Sequence, residues 1–158
     1  LANGIPIGGI VATDELASSI RALTLSTFGG NPVATTAALA NLNYIVTNNL
    51  RENARIVGGY LKERLCELAE RHAMIGDVRG MGLMIGVELV HDRATKEPAP
   101  DLANRVLDEA KARGLIIGKG GLFANTLRIC PPLIISKSDV DDAICILDDA
   151  FSAACCSG

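Results

Sequence analysis

The sequence predicts an α/β body, and three observations carry that expectation. Helical and strand-like patterns alternate through the second half of the chain, few residues separate one element from the next, and two long helical patterns precede them. With 158 residues, 49% hydrophobic and 21% charged, the chain has enough apolar material for a core and could be one ordinary domain or a piece of a larger one. Aromatics are only 3% and Trp is absent, so that core is built from Leu, Ile, Val and Ala. A formal charge of −3 gives no electrostatic case for nucleic acid or an anionic membrane. No apolar run is long enough to span a bilayer. The opening residues Leu1-Ala2-Asn3-Gly4 have neither the charged nor the apolar region of a signal peptide, and with no initiator Met they read as the interior of a longer chain. Five cysteines without a CxxC or a Cys/His cluster argue against zinc and for buried or incidental thiols in a reducing compartment.

Ile5 to Ala12 is apolar with Gly8 and Gly9 inside it, which predicts a buried strand. Thr13 is positioned to cap a short helix with Asp14 and Glu15 in its first turn. Ser26-Thr27-Phe28-Gly29-Gly30-Asn31-Pro32 then reads as a helix entry: Asn31 as N-cap, Pro32 as first helical residue, and two glycines for the approach. Pro32 to Thr47 is apolar on more than one side, which predicts a buried helix. A second helix is expected from Asn49 to His72, with Asn49 and Glu52 at capping spacing and Val57, Leu61, Leu65 and Leu68 as the buried stripe.

Ile75 to Gly82 reads as a glycine-punctuated turn between strand-like pieces, and Leu83 to Val90 as a strand whose one charge is Glu88. Asp101 is the expected cap of a helix to Arg113, closed by Gly114. Leu115 to Ile117 is a candidate short strand followed by Gly118-Lys119-Gly120-Gly121, and Gly114 to Lys119 reads as a flexible hairpin. Thr126 to Ile129 is another strand, stopped by Pro131-Pro132. Ser136 and Asp139 have capping-box spacing for a last helix carrying Val140, Ile144, Leu147 and Phe151, and Ser152 to Gly158 reads as a frayed tail.

Two places suggest anion binding. A hydroxyl, bare amide donors and a helix start make Ser26–Pro32 suited to a phosphate, beside the plain reading of a helix entry with a flexible approach. Arg128 interrupts an apolar strand, where alternation sets it on the face opposite Leu127 and Ile129. A guanidinium there needs water, a structural ion pair or an anion, and its planar fork fits a carboxylate. Arg79, flanked by Asp77 and Gly80, reads as a structural tie. Gly80 to Gly86 has the wrong glycine spacing for a dinucleotide fingerprint and is followed by a strand pattern. Gly114 to Lys119 lacks the leading glycine position and the hydroxyl residue of a phosphate loop. His72 and His91 stand without orienting neighbours, and Cys155-Cys156 without a basic partner, so none of them makes a case for catalysis.

Four stretches occur in an order shared with a known family: Asn3-Gly4-Ile5-Pro6-Ile7-Gly8, Thr27-Phe28-Gly29-Gly30-Asn31-Pro32, Gly76-Asp77-Val78-Arg79-Gly80-Met81-Gly82-Leu83-Met84, and Arg128-Ile129-Cys130-Pro131-Pro132-Leu133. Together they span about Asn3 to Phe151, and they make the chain resemble the C-terminal portion of class III pyridoxal-phosphate aminotransferases of fold type I. Gly118–Gly121 and the Gly82–Val90 strand look most like the alanine–glyoxylate branch, although the ornithine, 4-aminobutyrate and β-amino acid branches share much of the pattern.

The resemblance implies an α+β small domain at residues 73–158, a connecting helix at 49–72, and a C-terminal strip of the large, cofactor-binding domain at 1–48. It implies transfer of an amino group from an amino acid to a 2-oxo acid through pyridoxal phosphate, in a homodimer with shared sites, in the cytoplasm or, in a eukaryote, the mitochondrion. Thr27 matches the threonine that binds the cofactor phosphate in the neighbouring subunit's site, and Arg128 the arginine that holds the substrate carboxylate. The family's Schiff-base lysine stands just before the Asn-Gly-x-Pro motif, and its pyridinium-pairing acid lies upstream. No lysine precedes Asn3, and Lys62, Lys96, Lys111, Lys119 and Lys137 lie in other contexts. The chain by itself is therefore expected to be inactive, with no catalytic residue of its own, and to associate through its apolar first 48 residues. The rival expectations are a non-enzymatic α/β binding or dimerisation module derived from such an enzyme, and a shortened subunit that lends Thr27 to a longer one.

Overall fold

The computed structural model describes residues 1–22 and 25–156. It combines helices with an antiparallel sheet and divides into two compact units, Leu1–Asn49 and Leu50–Gly158.

The first unit is held by its helix entries. Thr13 Oγ1 accepts a hydrogen bond from the Leu16 N–H at 3.4 Å and opens α1 (Asp14–Ser18). Asn31 Oδ1 accepts from the Ala34 N–H at 2.9 Å and opens α2 (Pro32–Thr47), with Pro32 at its first position as expected. Two expectations fail here. Ile5–Ala12 forms no strand beyond an isolated bridge between Ala2 and Ile5, and Ile10 and Val11 are fully exposed. A strand exists by pairing, and among the described residues of this unit no strand lies beside it. Helix α2 buries only Ala34 and Ala38, leaving Leu39, Leu42, Tyr44 and Val46 exposed. Its all-round apolar surface is unpaired, not buried.

In the second unit, α3 (Leu50–Arg71) buries the anticipated stripe of Val57, Leu61, Leu65 and Leu68. Asn49 does not cap it. Its φ of 50° is left-handed, whereas an N-cap residue needs extended backbone, and Glu52 binds Arg55 instead at 2.6 and 2.9 Å. The stretch expected as a punctuated turn is a strand, β1 (Ile75–Met81), because its glycines serve close approach. A Cβ on Gly58 of α3 would lie 2.2 Å from the Gly82 carbonyl oxygen, so helix and β-turn touch backbone to backbone.

Strand β2 (Met84–Asp92) is followed by the two-residue β3 (Glu97–Pro98) and by α4 (Pro100–Ala112). Pro100 takes the first helical position, so Asp101 sits inside the first turn and Ala99 caps, a shift of two residues from expectation. Gly114, at φ 90°, ends α4 as expected. Leu115–Ile117, expected as a short strand, is irregular, and the hairpin expected over Gly114 to Lys119 gives way to strand β4 (Gly118–Gly120), paired antiparallel to β5 (Thr126–Ile129). Helix α5 (Lys137–Cys156) opens on a reciprocal cap: Asp139 N–H donates to Ser136 Oγ at 3.2 Å and Ser136 N–H to Asp139 Oδ2 at 2.9 Å. The helix continues through residues 152–156, overturning the frayed tail there, since Phe151 and Ala154 are buried anchors; residues 157 and 158 lie outside the described residues.

The sheet runs β1-β2-β5-β4, with β3 on β2, all antiparallel. Ile85, Val87, Leu89, Leu127 and Ile129 point to one face and share a core with the stripes of α3, α4 and α5. At the end of α3, His72 Nε2 meets Asp148 Oδ1 of α5 at 2.6 Å, and Arg71 donates to Oδ2 at 2.5 Å. These partners, His72 first, hold the Asp148 carboxyl below the usual carboxylate range against the opposing effect of its partial burial.

Gly58→Ala should destabilise the chain by about 1–3 kcal/mol in chemical denaturation, because the new methyl meets main chain that cannot rotate away; a loss below about 0.5 kcal/mol contradicts the close approach. A lowered carboxyl pKa adds stability that is complete above the unfolded value of about 4 and vanishes as pH falls through the folded one. Asp148→Asn should therefore be less stable than the parent at pH 7, and the gap should close progressively below about pH 4. A gap independent of pH would contradict the His72–Asp148 tie.

Candidate anion-binding sites

Antiparallel register assembles the first site. Arg79 of β1 stands opposite Gly86 of β2, Gly86 opposite Arg128 of β5, and Arg128 opposite Gly118 of β4. Directly paired residues share a face, so this row lies on the side of the sheet away from the helices. The two residues flanking Arg128 have no side chain, and a Cβ built on Gly118 would lie 3.3 Å from Arg128 Nε and 3.5 Å from Nη2. The guanidinium thus lies against the β4 backbone in space that any larger residue would share.

The two arginines of the row differ in their partners. Arg79 donates to Asp77 at 2.8 Å and to Glu88 at 2.5 Å, which raises its pKa further and fulfils its reading as a structural tie, made across strands. Both acids of this part of the face are thereby engaged. Arg128 is exposed and has no hydrogen-bond or ion-pair partner among the described residues. A cleft of about 390 Å³ also touches Arg128, but its walls include Leu61 of α3, Ile129, and Val140 and Leu147 of α5, which belong to the helix side of the sheet. The arrangement offers an exposed planar bidentate donor without an internal partner, which suits a small carboxylate.

The second site belongs to the first unit. Ser26 to Asn31 forms a turn in which the Gly29 N–H donates to the Ser26 carbonyl and the Asn31 N–H to that of Phe28. Thr27 is exposed, and its hydroxyl has no partner among the described residues. A cleft of about 260 Å³ beside it is lined by Pro6, Ile7, Gly8, Ser26, residues 28–31 and the first turn of α2, with no carboxylate among them. Thr27 lies between two lining residues without itself facing this cleft. The Gly29, Asn31 and Ala34 N–H groups and the Thr35 hydroxyl are already donated within the turn, so what this place offers a phosphate is the Ser26 and Thr27 hydroxyls and the start of a 16-residue helix.

The remaining candidates resolve structurally. His72 pairs with Asp148, and His91 Nε2 meets Asp101 Oδ1 at 3.0 Å on the surface. Lys119 reaches Asn104 of α4. Among the described residues no cluster of His, Cys, Asp and Glu could hold a metal ion, and no helix is long and apolar enough to cross a membrane. Sequence reading identified Arg128 but missed Gly86 and Gly118, whose significance depends on strand register.

A family profile described as Aminotransferase class-III matches residues 1–151. Among curated proteins the chain is similar to alanine–glyoxylate aminotransferase 2 homolog 2, mitochondrial, of Arabidopsis thaliana, with 50% identity over 153 residues, 96% of this chain and 32% of that protein. It is also similar to isoleucine 2-epimerase of Lentilactobacillus buchneri, with 44% identity over 154 residues, 97% of this chain and 34% of that protein. Among solved structures, an Arthrobacter phospholyase in complex with phosphoethanolamine superposes with a TM-score of 0.90 at 32% identity, covering 96% of this chain and 36% of that one. A Bacillus anthracis aminotransferase superposes with a TM-score of 0.77 at 42% identity, covering 80% and 29%. The chain spans about a third of the length of the curated relatives it matches.

Proposed function

The chain belongs to the class III aminotransferases, and from that membership we propose that it supplies two anion anchors to a pyridoxal-phosphate transaminase. In this reading the first unit is the C-terminal strip of the large, cofactor-binding domain and the second unit is the small domain. The enzyme transfers an amino group from alanine, or an ω- or β-amino acid, to a 2-oxo acid such as glyoxylate or pyruvate. Relatives named for alanine–glyoxylate and taurine–pyruvate transfer support this substrate class. Their mitochondrial designations support an organellar compartment for a eukaryotic source and leave the cytoplasm for a bacterial one.

The observation that carries the reading is the unpartnered Arg128 in a row whose acids are occupied by Arg79. Bound pyridoxal phosphate supplies the electron sink for chemistry at the amino acid's α-carbon. Arg128 holds the substrate carboxylate through paired N–H donors and so fixes which bond at that carbon is presented. Arg128 is exposed, so the carboxylate reaches it from solvent, and the paired N–H donors supply the orientation. Thr27, carried outward on its turn ahead of α2, donates its hydroxyl to the cofactor phosphate of the neighbouring subunit in a homodimer. The exposed Ile10, Val11, Leu39 and Val46 of the first unit favour association over a free existence of this unit.

None of the five lysines stands near Asn3-Gly4-Ile5-Pro6; Lys62, Lys119 and Lys137 are engaged with the Gly80 carbonyl, Asn104 and the Tyr60 ring. The isolated chain should therefore take up no stoichiometric pyridoxyl group at any lysine on borohydride reduction with pyridoxal phosphate, and should not transaminate. In an enzyme carrying this chain as its C-terminal part, Arg128→Lys should raise KM for the 2-oxo acid about tenfold or more with a smaller change in kcat, since an ammonium cannot reproduce the fork. A stoichiometric adduct, or an unchanged KM, contradicts the proposal.

A second reading, inversion at the α-carbon, is favoured by the likeness to isoleucine 2-epimerase and to leucine/methionine racemase of Thermococcus litoralis, the latter at 43% identity. It requires racemisation of an L-amino acid with no 2-oxo acid present.

A further inference from the structure

We infer that Gly118 is a positioning residue for Arg128: the absence of a side chain on β4 is what lets the guanidinium lie across that strand with its fork free. The inference rests on the reading of Arg128 as a carboxylate anchor and assigns the residue that sets its geometry. Gly118 pairs directly with Arg128, and a Cβ there would stand 3.3 Å from Nε, a tight approach that the guanidinium would have to yield to, and 3.5 Å from Nη2, in ordinary contact. On the other flank Gly86 also lacks a side chain, but a Cβ there would meet Thr126 Cγ2 at 3.1 Å and not the guanidinium. Gly118 is thus the flanking glycine whose emptiness is filled by the arginine itself.

The backbone gives no other reason for glycine at this position. Gly118 is absent from the positive-φ residues, so an L side chain is allowed, and a β-branched residue would suit an edge strand better than glycine does. Gly120, two residues along the same strand, has nothing within 4 Å of its built Cβ. It therefore reports what a side chain on β4 does without touching Arg128.

The test uses the 158-residue chain, with phenylglyoxal as the arginine reagent, peptide mass spectrometry to read the modification rate at Arg128, and pyruvate as the carboxylate probe. Without pyruvate, Gly118→Val should change the Arg128 rate at least threefold by lifting the guanidinium off β4, and Gly120→Val should leave it at the parent value. With pyruvate, the parent and Gly120→Val should show protection of Arg128, and Gly118→Val should need at least fivefold more pyruvate for half-protection. Gly118→Ala should be intermediate, which keeps the test valid if the valine variant misfolds by circular dichroism. Equal Arg128 rates in the parent, Gly118→Val and Gly118→Ala overturn the positioning role. A rate difference that persists while pyruvate protects none of the proteins supports the positioning and removes the carboxylate reading instead.

Discussion

The structure of the second unit depends on one constraint: an antiparallel sheet with only one face sealed by helices. Helices α3, α4 and α5 take the side occupied by Ile85, Val87, Leu89, Leu127 and Ile129. Alternation, with a register shift between Ile75 and Asp77 in β1, then sends Asp77, Arg79, Glu88 and Arg128 to the other side, where charge stays hydrated. Moving β5 by a single residue would bury Arg128 and expose Leu127 and Ile129, so core packing fixes the position of the proposed anchor. The backbone contact of Gly58 with Gly82 serves the same end by seating α3 tightly against the β1–β2 turn.

Within that open face, selectivity is electrostatic. A guanidinium beside two carboxylates would ordinarily be neutralised from within the protein, and Arg79 prevents this by engaging both Asp77 and Glu88. What remains is a directional donor whose nearest sheet neighbours are glycines. Pairing with a soluble carboxylate costs such a group little, because no internal partner has to be broken. Arg79 is structural in its contacts, and its consequence is that Arg128 stays available.

Much of the second unit was legible from residue pattern alone. The α3 stripe, the Ser136–Asp139 cap, the Gly114 stop and the two longer strand patterns rest on local periodicity and capping chemistry, which act over a few residues. Arg128 stood out because one charge in an apolar strand violates the pattern. What stayed hidden depends on partners distant in sequence. Gly82 is the turn residue its pattern suggested, but Gly80 read as part of the turn and lies in β1, where it allows close backbone approach, and Gly118–Gly120 is a strand because β5 pairs with it. Ile5–Ala12 has strand composition without a strand neighbour, and α2 has the surface of a buried helix without a cover. Both misreadings have one cause: composition records what a segment can bury, and pairing decides whether it does.

The most direct measurement is a crystal structure of the chain grown or soaked with pyruvate. The account predicts the carboxylate of pyruvate on the guanidinium of Arg128, with two N–H···O contacts of about 2.7–2.9 Å, while Arg79 keeps Asp77 and Glu88. Arg128 folded onto a protein carboxylate, or pyruvate ordered elsewhere with Arg128 untouched, would contradict it.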